Sequence, residues 1–430
     1  MKKILIIFLC AFNTLFAQQW SPAENYLSEA SAITNHGEEM SSNGDEDDTP
    51  KQNKKALLYS KSKLNLQDFI NKLIKEDRPG IIDVKKLEVK EGLKVTGDLY
   101  LEGRQTQIVF KAPKKNLFTF SQSKSTIKGF DILLPEEAVA FSTEFETGNL
   151  WTIRLENIKV TGGNNAWYSA RGGIYDIAKD SIIEWNTVYF KNVNFNTNMV
   201  SVAVYAQDGP SVAVNMDNVE LRAGRSHAMY FHPNVSIDFN NVRVMSTGAK
   251  LTSGQGLALS HYSGGGVPGI ARYYRMNNVS SDVAPFAIAP TKTIPVIRNS
   301  RLQLYDMYLD TRNIYAENTM FTELSFVSGE LVNCSGKIRL IRNVNIKGGD
   351  YTEVLIGNKN VSYPSVVNIS NAKIKDLNYL KPADVNIKNT AIGNLYNSIA
   401  TQEKQKLKLT RTNIGKYGYG KPQEMIEVIQ

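Results

Sequence analysis

The chain predicts an all-β fold: a β-solenoid with a short N-terminal capping helix. Three observations predict it. An Asn followed by an apolar pair in alternation recurs from Asn157 onward. The segments around each copy alternate apolar and polar residues over four to six positions, which is the period of a strand and not of a helix. The turns between them are rich in Gly, Asn and Asp, and no long helical pattern intervenes.

The copies stand at Asn157-Ile158, Asn192-Val193, Asn218-Val219, Asn241-Val242, Asn278-Val279, Asn343-Val344, Asn371-Ala372 and Asn389-Thr390, with a degenerate one at Thr412-Asn413-Ile414. The steps from Asn192 to Asn218, from Asn218 to Asn241 and from Asn371 to Asn389 each read as one coil or slightly more. Longer steps read as a coil plus an inserted loop. The gap from Asn278 to Asn343 has room for coils turning at Asn299 and at Asn318 or Asn333. Such a loose repeat marks a solenoid, in which each unit buries its apolar face only by stacking on its neighbours. Asn suits the turn because it tolerates the left-handed conformation and can hydrogen-bond to the same residue one coil away, ~4.8 Å along the axis.

In chain order, residues 1–17 read as a signal peptide: Lys2-Lys3, an apolar run from Ile4 to Phe12, and Ala17 before the cleavage point. That run is too short to span a bilayer. The reading places the protein outside the cytoplasm, secreted, periplasmic or on the cell surface, with no transmembrane segment. Cleavage would leave Cys334 as the one cysteine, with no intrachain disulfide to form. Residues 18–55 read as a disordered acidic linker holding Glu38, Glu39, Asp45, Glu46, Asp47 and Asp48. Its Asn43–Asp48 stretch lacks the central Gly and closing Glu of a calcium loop, so Ca²⁺ has no motif here. Residues 56–80 read as the helical cap. Leu66, Phe69, Ile70, Leu73 and Ile74 fall on one face of a helix over 64–75, and Asp77-Arg78-Pro79-Gly80 ends it. The cap would cover the first strand edge of the solenoid. Residues 81–430 form the solenoid.

The opening coils carry a family resemblance. Leu93-Lys94-Val95-Thr96-Gly97-Asp98-Leu99, then Thr106-Gln107-Ile108-Val109-Phe110, then Ser125-Thr126-Ile127-Lys128-Gly129-Phe130-Asp131-Ile132 resemble the first coils of the right-handed parallel β-helix superfamily. This is the pectate-lyase-like group of secreted carbohydrate-active proteins and phage tailspikes. The resemblance covers about Ile81 to Tyr419. It implies the fold and a polysaccharide partner, and it transfers no catalytic set.

Charge points the same way. The chain carries +8, and positions 1–55 hold five lysines against eight acids, so the remainder carries +11. A basic solenoid outside the cytoplasm suits an anionic partner: an acidic polysaccharide, a charged surface or nucleic acid. No nucleic-acid motif, phosphate loop or nucleophile elbow is present.

Three of the four histidines, His227, His232 and His261, cluster in the central coils. Aligning the strands 202–205, 228–231 and 257–260 places His232 and His261 at the same turn of adjacent coils. Tyr205, Tyr230 and Tyr262 belong to the same few coils. Residues 262–275 form a long Gly- and Pro-containing insertion with Arg272, Tyr273, Tyr274 and Arg275, and loops of that length often carry function. Together these groups suit β-elimination on a uronic-acid polysaccharide. That reaction needs a cation at the carboxylate, a base for the adjacent proton and an acid for the leaving oxygen. Arg225 or Arg272 would neutralise, His232 or His261 would be the base, and Tyr230 or Tyr262 the acid. His227, Arg222, Tyr262, Arg272, Tyr273 and Tyr274 would line the substrate site. Hydrolysis fits less well, since it needs paired carboxylates and the sequence shows no Asp pair in the central coils. No acid or Cys accompanies the histidines at metal spacing, so no metal is expected. The alternative is a β-helix that binds glycans or builds a surface structure without catalysis.

Overall fold

Each coil turns at a residue in the left-handed conformation, and along most of the chain that residue is Asn. Asn157, Asn192, Asn218, Asn241, Asn278, Asn299, Asn318, Asn333, Asn371 and Asn389 all have φ between 48° and 55°. This computed structural model describes residues 54–429 apart from 145–149, 171–173, 177–180, 185, 206–211, 224–226, 233, 247–257, 262–270, 272, 282–285, 289–292, 307–313, 327, 341–342, 358–364, 380–382, 398–404 and 418–425. The predicted signal peptide, and the linker up to residue 53, lie outside the described residues.

Parallel strands stack on both sides of this corner. Strand Asn186–Asn196 pairs with Val212–Ala223 in unbroken register, Val188 on Val214 and Val193 on Val219. Val212–Ala223 pairs in the same way with Val235–Ser246. Residues before the corner form side 1 and residues after it side 2. A third ladder of short strands, side 3, includes Asn116–Phe120, Val139–Thr143, Asn165–Ala170, Val202–Tyr205, Met229–Phe231, Leu259–His261 and Phe286–Ile288. From Arg301–Asp306 onward sides 2 and 3 merge into one strand: Arg301 pairs with Ser280 and Leu304 with Phe286.

Alternation explains the core. In Val212–Ala223, Val212, Val214, Met216, Val219 and Leu221 point inward and are buried, while Asn215, Asp217 and Glu220 point outward. The period is two along a strand, and the left-handed corner lets the alternation continue into the next side. The inner wall of side 3 is built by Phe118, Phe141, Trp167, Val202, Met229, Leu259 and Phe286, one above the other.

The corner amides also bond to one another. Asn192 Nδ2 donates to Asn157 Oδ1 at 3.1 Å, Asn218 to Asn192 at 2.8 Å, Asn278 to Asn241 at 2.6 Å and Asn389 to Asn371 at 3.2 Å. Two expected corners are corrected. Asn343 does not turn a coil; it precedes Val344–Lys347, and its Oδ1 accepts from Val366 N. The corner falls instead at Asn333 and then Gly348 (φ 73°). At the far end the turn is made by Arg411 (φ 49°), while Asn413 begins a strand opposite Ala391. Asn299, Asn318 and Asn333 all turn coils, so the interval holds one more coil than the spacing suggests. Asn218→Ala loses both the amide link and the residue type that tolerates this conformation. It should speed amide exchange in residues 192–219 by an amount equal to about 1–2 kcal/mol, and Asn218→Gly by less. Native-state hydrogen exchange checks this.

Helix α1 (Leu66–Glu76) closes the N-terminal end. Asn65 caps it, accepting from Asp68 N at 2.9 Å, and Asp77 ends it in the left-handed conformation. Leu66, Phe69, Ile70 and Leu73 are buried. Gln67 joins the helix to the first strand edge: its Nε2 donates to Lys94 O at 2.9 Å and its Oε1 accepts from Lys94 N at 2.7 Å. One side chain thus stands in for a neighbouring strand at Leu93–Val95. Cys334 is buried, with its thiol pushed up to about 11 by burial. In the native protein it should react with a thiol reagent at least ~100-fold more slowly than in denaturant, as a labelling time course would show.

Candidate functional site

Side 3 presents an aromatic patch on its outer surface. Its outward row runs Tyr168, Ala203, Tyr230 on successive coils, and Tyr205 extends the Ala203 strand by two residues. The small Ala203 leaves room for the Tyr205 ring to lie between its neighbours. The Tyr205 ring centroid is 5.4 Å from Tyr168 and 5.0 Å from Tyr230. Together the three phenols form a half-buried platform two coil steps long, ~10 Å.

Two histidines border it. The His227 ring stacks near Tyr230, 6.0 Å between centroids and 23° between planes. His232 lies 5.2 Å from Tyr205 and 5.6 Å from Tyr230, and only 2% of it is exposed. Its backbone N–H donates to Val204 O at 3.1 Å, and its carbonyl accepts from Val235 N. Burial lowers the His227 pKa below its ordinary 6.5, so the ring is neutral at pH 7. Burial raises the Tyr168 and Tyr205 hydroxyls, with Tyr205 raised further by its two tyrosine neighbours. The patch therefore offers ring faces for apolar sugar surfaces, protonated hydroxyls as donors, and a neutral imidazole at its edge.

The expected His232–His261 pair is corrected. Both lie on adjacent coils, but Phe231, not His232, pairs with His261, because Val202 aligns with Met229 and Leu259 rather than with Ala228 and Leu257. A one-residue shift exchanges the two faces of a strand, so the two histidines do not share a row. Tyr274 is corrected as well. It pairs with Ile237 on side 1 and points into the core, 1% exposed, where it cannot line a substrate site. Tyr273 also lies on side 1, and its hydroxyl donates to Asn215 Oδ1 at 3.2 Å. Burial and the Asp238 carboxylate push its pKa up to about 12. Arg222 forms an ion pair with Glu220 at 3.3 Å. Arg225, Tyr262 and Arg272 lie outside the described residues.

Sequence reasoning misses two features. It does not link Tyr168 to the patch, because a long coil separates its strand from the neighbourhood of the histidines, and only pairing through Ala203 brings it near Tyr230. The recurrence of Tyr at 205 and 230 is the available signal. Sequence reasoning also does not bring Asp217 near Asp238, which stand almost a coil apart in sequence. Asp217 and Asp238 face outward on adjacent coils of side 1, offset by two positions in register. Both are engaged: Asp238 with Arg275 at 3.7 Å, and Asp217 as acceptor from Asn240 Nδ2 at 2.8 Å. Burial raises the Asp238 pKa, with Arg275 opposing.

Among the described residues no group of three or more His, Cys, Asp or Glu is placed to hold a metal ion, and no helix is long and apolar enough to cross a membrane. Comparison with protein-family models, with curated proteins and with solved structures finds no match to this chain.

Proposed function

We propose that this is a secreted, pectate-lyase-like β-helix protein that binds an acidic polysaccharide along side 3 and cleaves it by β-elimination. The Tyr168–Tyr205–Tyr230 platform ending on a neutral His227 carries this reading. Sugar rings lie across the phenols. His227 takes the proton beside the uronate carboxylate, and the electron pair left behind forms the new carbon–carbon double bond. The glycosidic carbon–oxygen bond breaks, and the Tyr230 hydroxyl protonates the departing oxygen. Arg225 or Arg272, both outside the described residues, would supply the cation that makes the proton acidic. The base is assigned to His227 rather than His232, which is buried beneath two tyrosine rings and acts as their support.

The test follows absorbance of the unsaturated product on a panel of uronic-acid polysaccharides. His227→Ala should reduce kcat by about 10²–10⁴, whereas His232→Gln should retain most activity. Because the His227 pKa is lowered, its base form persists into mild acid, so kcat/KM should fall only below pH 6.5. An acidic limb with its midpoint above 6.5, or full activity in His227→Ala, would remove His227 from this role; the alkaline limb belongs to the Tyr230 acid. The engagement of His232 in packing favours a second reading, a binding platform without cleavage. A flat trace on every substrate together with saturable binding would select it.

A further inference from the structure

We infer that a second groove, on side 1 near the C-terminal end, binds an acidic saccharide bearing a carboxylate or sulfate. It is a depression of about 340 Å³ lined by Asn368, Ser370, Asn386, Lys388, Lys408 and Thr410. These residues occupy two outward rows on three successive coils. Asn368, Asn386 and Lys408 stack in one row, Ser370, Lys388 and Thr410 in the other. The short Ser370 and Thr410 on either side of Lys388 open the depression.

A break in the charge pattern gives the groove its sign. Earlier on side 1, four cations are matched by acids: Lys128 with Glu102 at 3.2 Å, Arg275 with Asp238 at 3.7 Å, Arg298 with Glu317 at 3.3 Å and Lys347 with Glu330 at 2.8 Å, and Arg154 lies over the Tyr189 ring. Two coils beyond Lys347 the matching stops. Lys388 and Lys408 are exposed and have no ion pair among the described residues. They are diagonal neighbours on adjacent coils, with Cα atoms on the order of 8 Å apart. Asp384 stands one row outside, in register with Val366, and Lys406 pairs in register with Glu427 of the next strand. Residues 365–417 hold nine Lys and Arg against three Asp and Glu, so the local field favours an anion.

The neighbouring row supplies polar recognition. Asn386 Nδ2 donates to Asn368 Oδ1 at 3.0 Å, and Asn368 Nδ2 to Asn345 Oδ1 at 2.9 Å. The amides run head to tail, which fixes each side chain and leaves the Asn386 carbonyl facing the Lys408 coil. A bound saccharide would set its oxyanion between the two ammonium groups and direct hydroxyls to the amides, Ser370 and Thr410. Side 3's patch lies about six to eight coils away, ~30–40 Å, so the two sites are separable. The ligand chemistry follows from the groove's own side chains and does not depend on the side 3 reading.

The experiment is calorimetric titration of the full chain carrying Tyr205→Ala and Tyr230→Ala, which disables side 3. The probes are a uronate tetrasaccharide, a sulfated tetrasaccharide and a neutral one of equal length. Binding of at least one acidic probe, none of the neutral one, and weakening with salt are expected. Adding Lys388→Gln and Lys408→Gln should lower affinity at least tenfold, whereas Lys388→Arg with Lys408→Arg should keep it within threefold. Unchanged melting of both pairs separates lost binding from lost folding. Equal affinity in the Gln pair, equal binding of the neutral probe, or no binding of either acidic probe would overturn the inference. The better acidic probe identifies the oxyanion. In the protein with Tyr205 and Tyr230 intact, absence of a second uronate site beside a working groove would count against side 3 alone.

Discussion

Replacing Trp167 with Ala should lower the unfolding free energy of the coils around it by about 3–5 kcal/mol. Trp167 is fully buried on the inner wall of side 3, between Phe141 on one coil and Val202 on the next. Its ring lies 5.6 Å from Trp151 and meets Phe190 edge-on at 5.8 Å. Its Nε1–H donates to the buried Ser169 Oγ at 3.0 Å, so truncation also removes that hydroxyl's donor. The stacked strands are tied by pairing above and below, so the cavity has little room to collapse. Tyr168 is the next residue on the same strand, and its ring should lose its fixed place, weakening saccharide binding along with stability. Denaturant titration and saccharide affinity of the same variant check both effects. A loss under about 1 kcal/mol would mean that the wall repacks.

Gly336→Ala should be at least as damaging, by more than about 3 kcal/mol, or should abolish soluble expression. Gly336 has φ 109°, outside even the left-handed region that Asn adopts at the corners. It pairs directly with Phe321, and an added Cβ would overlap the Phe321 carbonyl oxygen. The neighbouring corners Asn318, Asn333 and Gly348 follow one another at shorter sequence intervals than the Asn corners before them. Such short coils have no inserted loop to absorb a displacement. Melting within about 2 °C of the parent protein would show that the strand relieves the overlap by shifting.

The fold is legible in the sequence because its signals are local. The Asn corner and the two-residue alternation sit within one short window of sequence, and the cap helix shows its apolar stripe at 66, 69, 70 and 73. Corners that are not Asn, at Gly348 and Arg411, carry no such mark, and the pattern points to Asn343 and Asn413 in their place. The site is legible only in part because register between coils is not local. The variable lengths of coils and loops decide which residues meet. An offset of one position moves His261 from the row of His232 to that of Phe231. Tyr274 looks like a loop aromatic but alternates into the core, directly beside the outward Tyr273. Asp217 and Asp238 stand nearly a full coil apart in sequence and adjacent on side 1 for the same reason.

Amide hydrogen exchange with and without a uronate hexasaccharide tests most directly whether side 3 is the polysaccharide surface. Binding there should slow exchange in residues 165–170, 202–205 and 227–232, the strands and turn that hold Tyr168, Tyr205, Tyr230 and His227. Saturable binding with no protection in these segments, or with protection confined to residues 366–410, would contradict it.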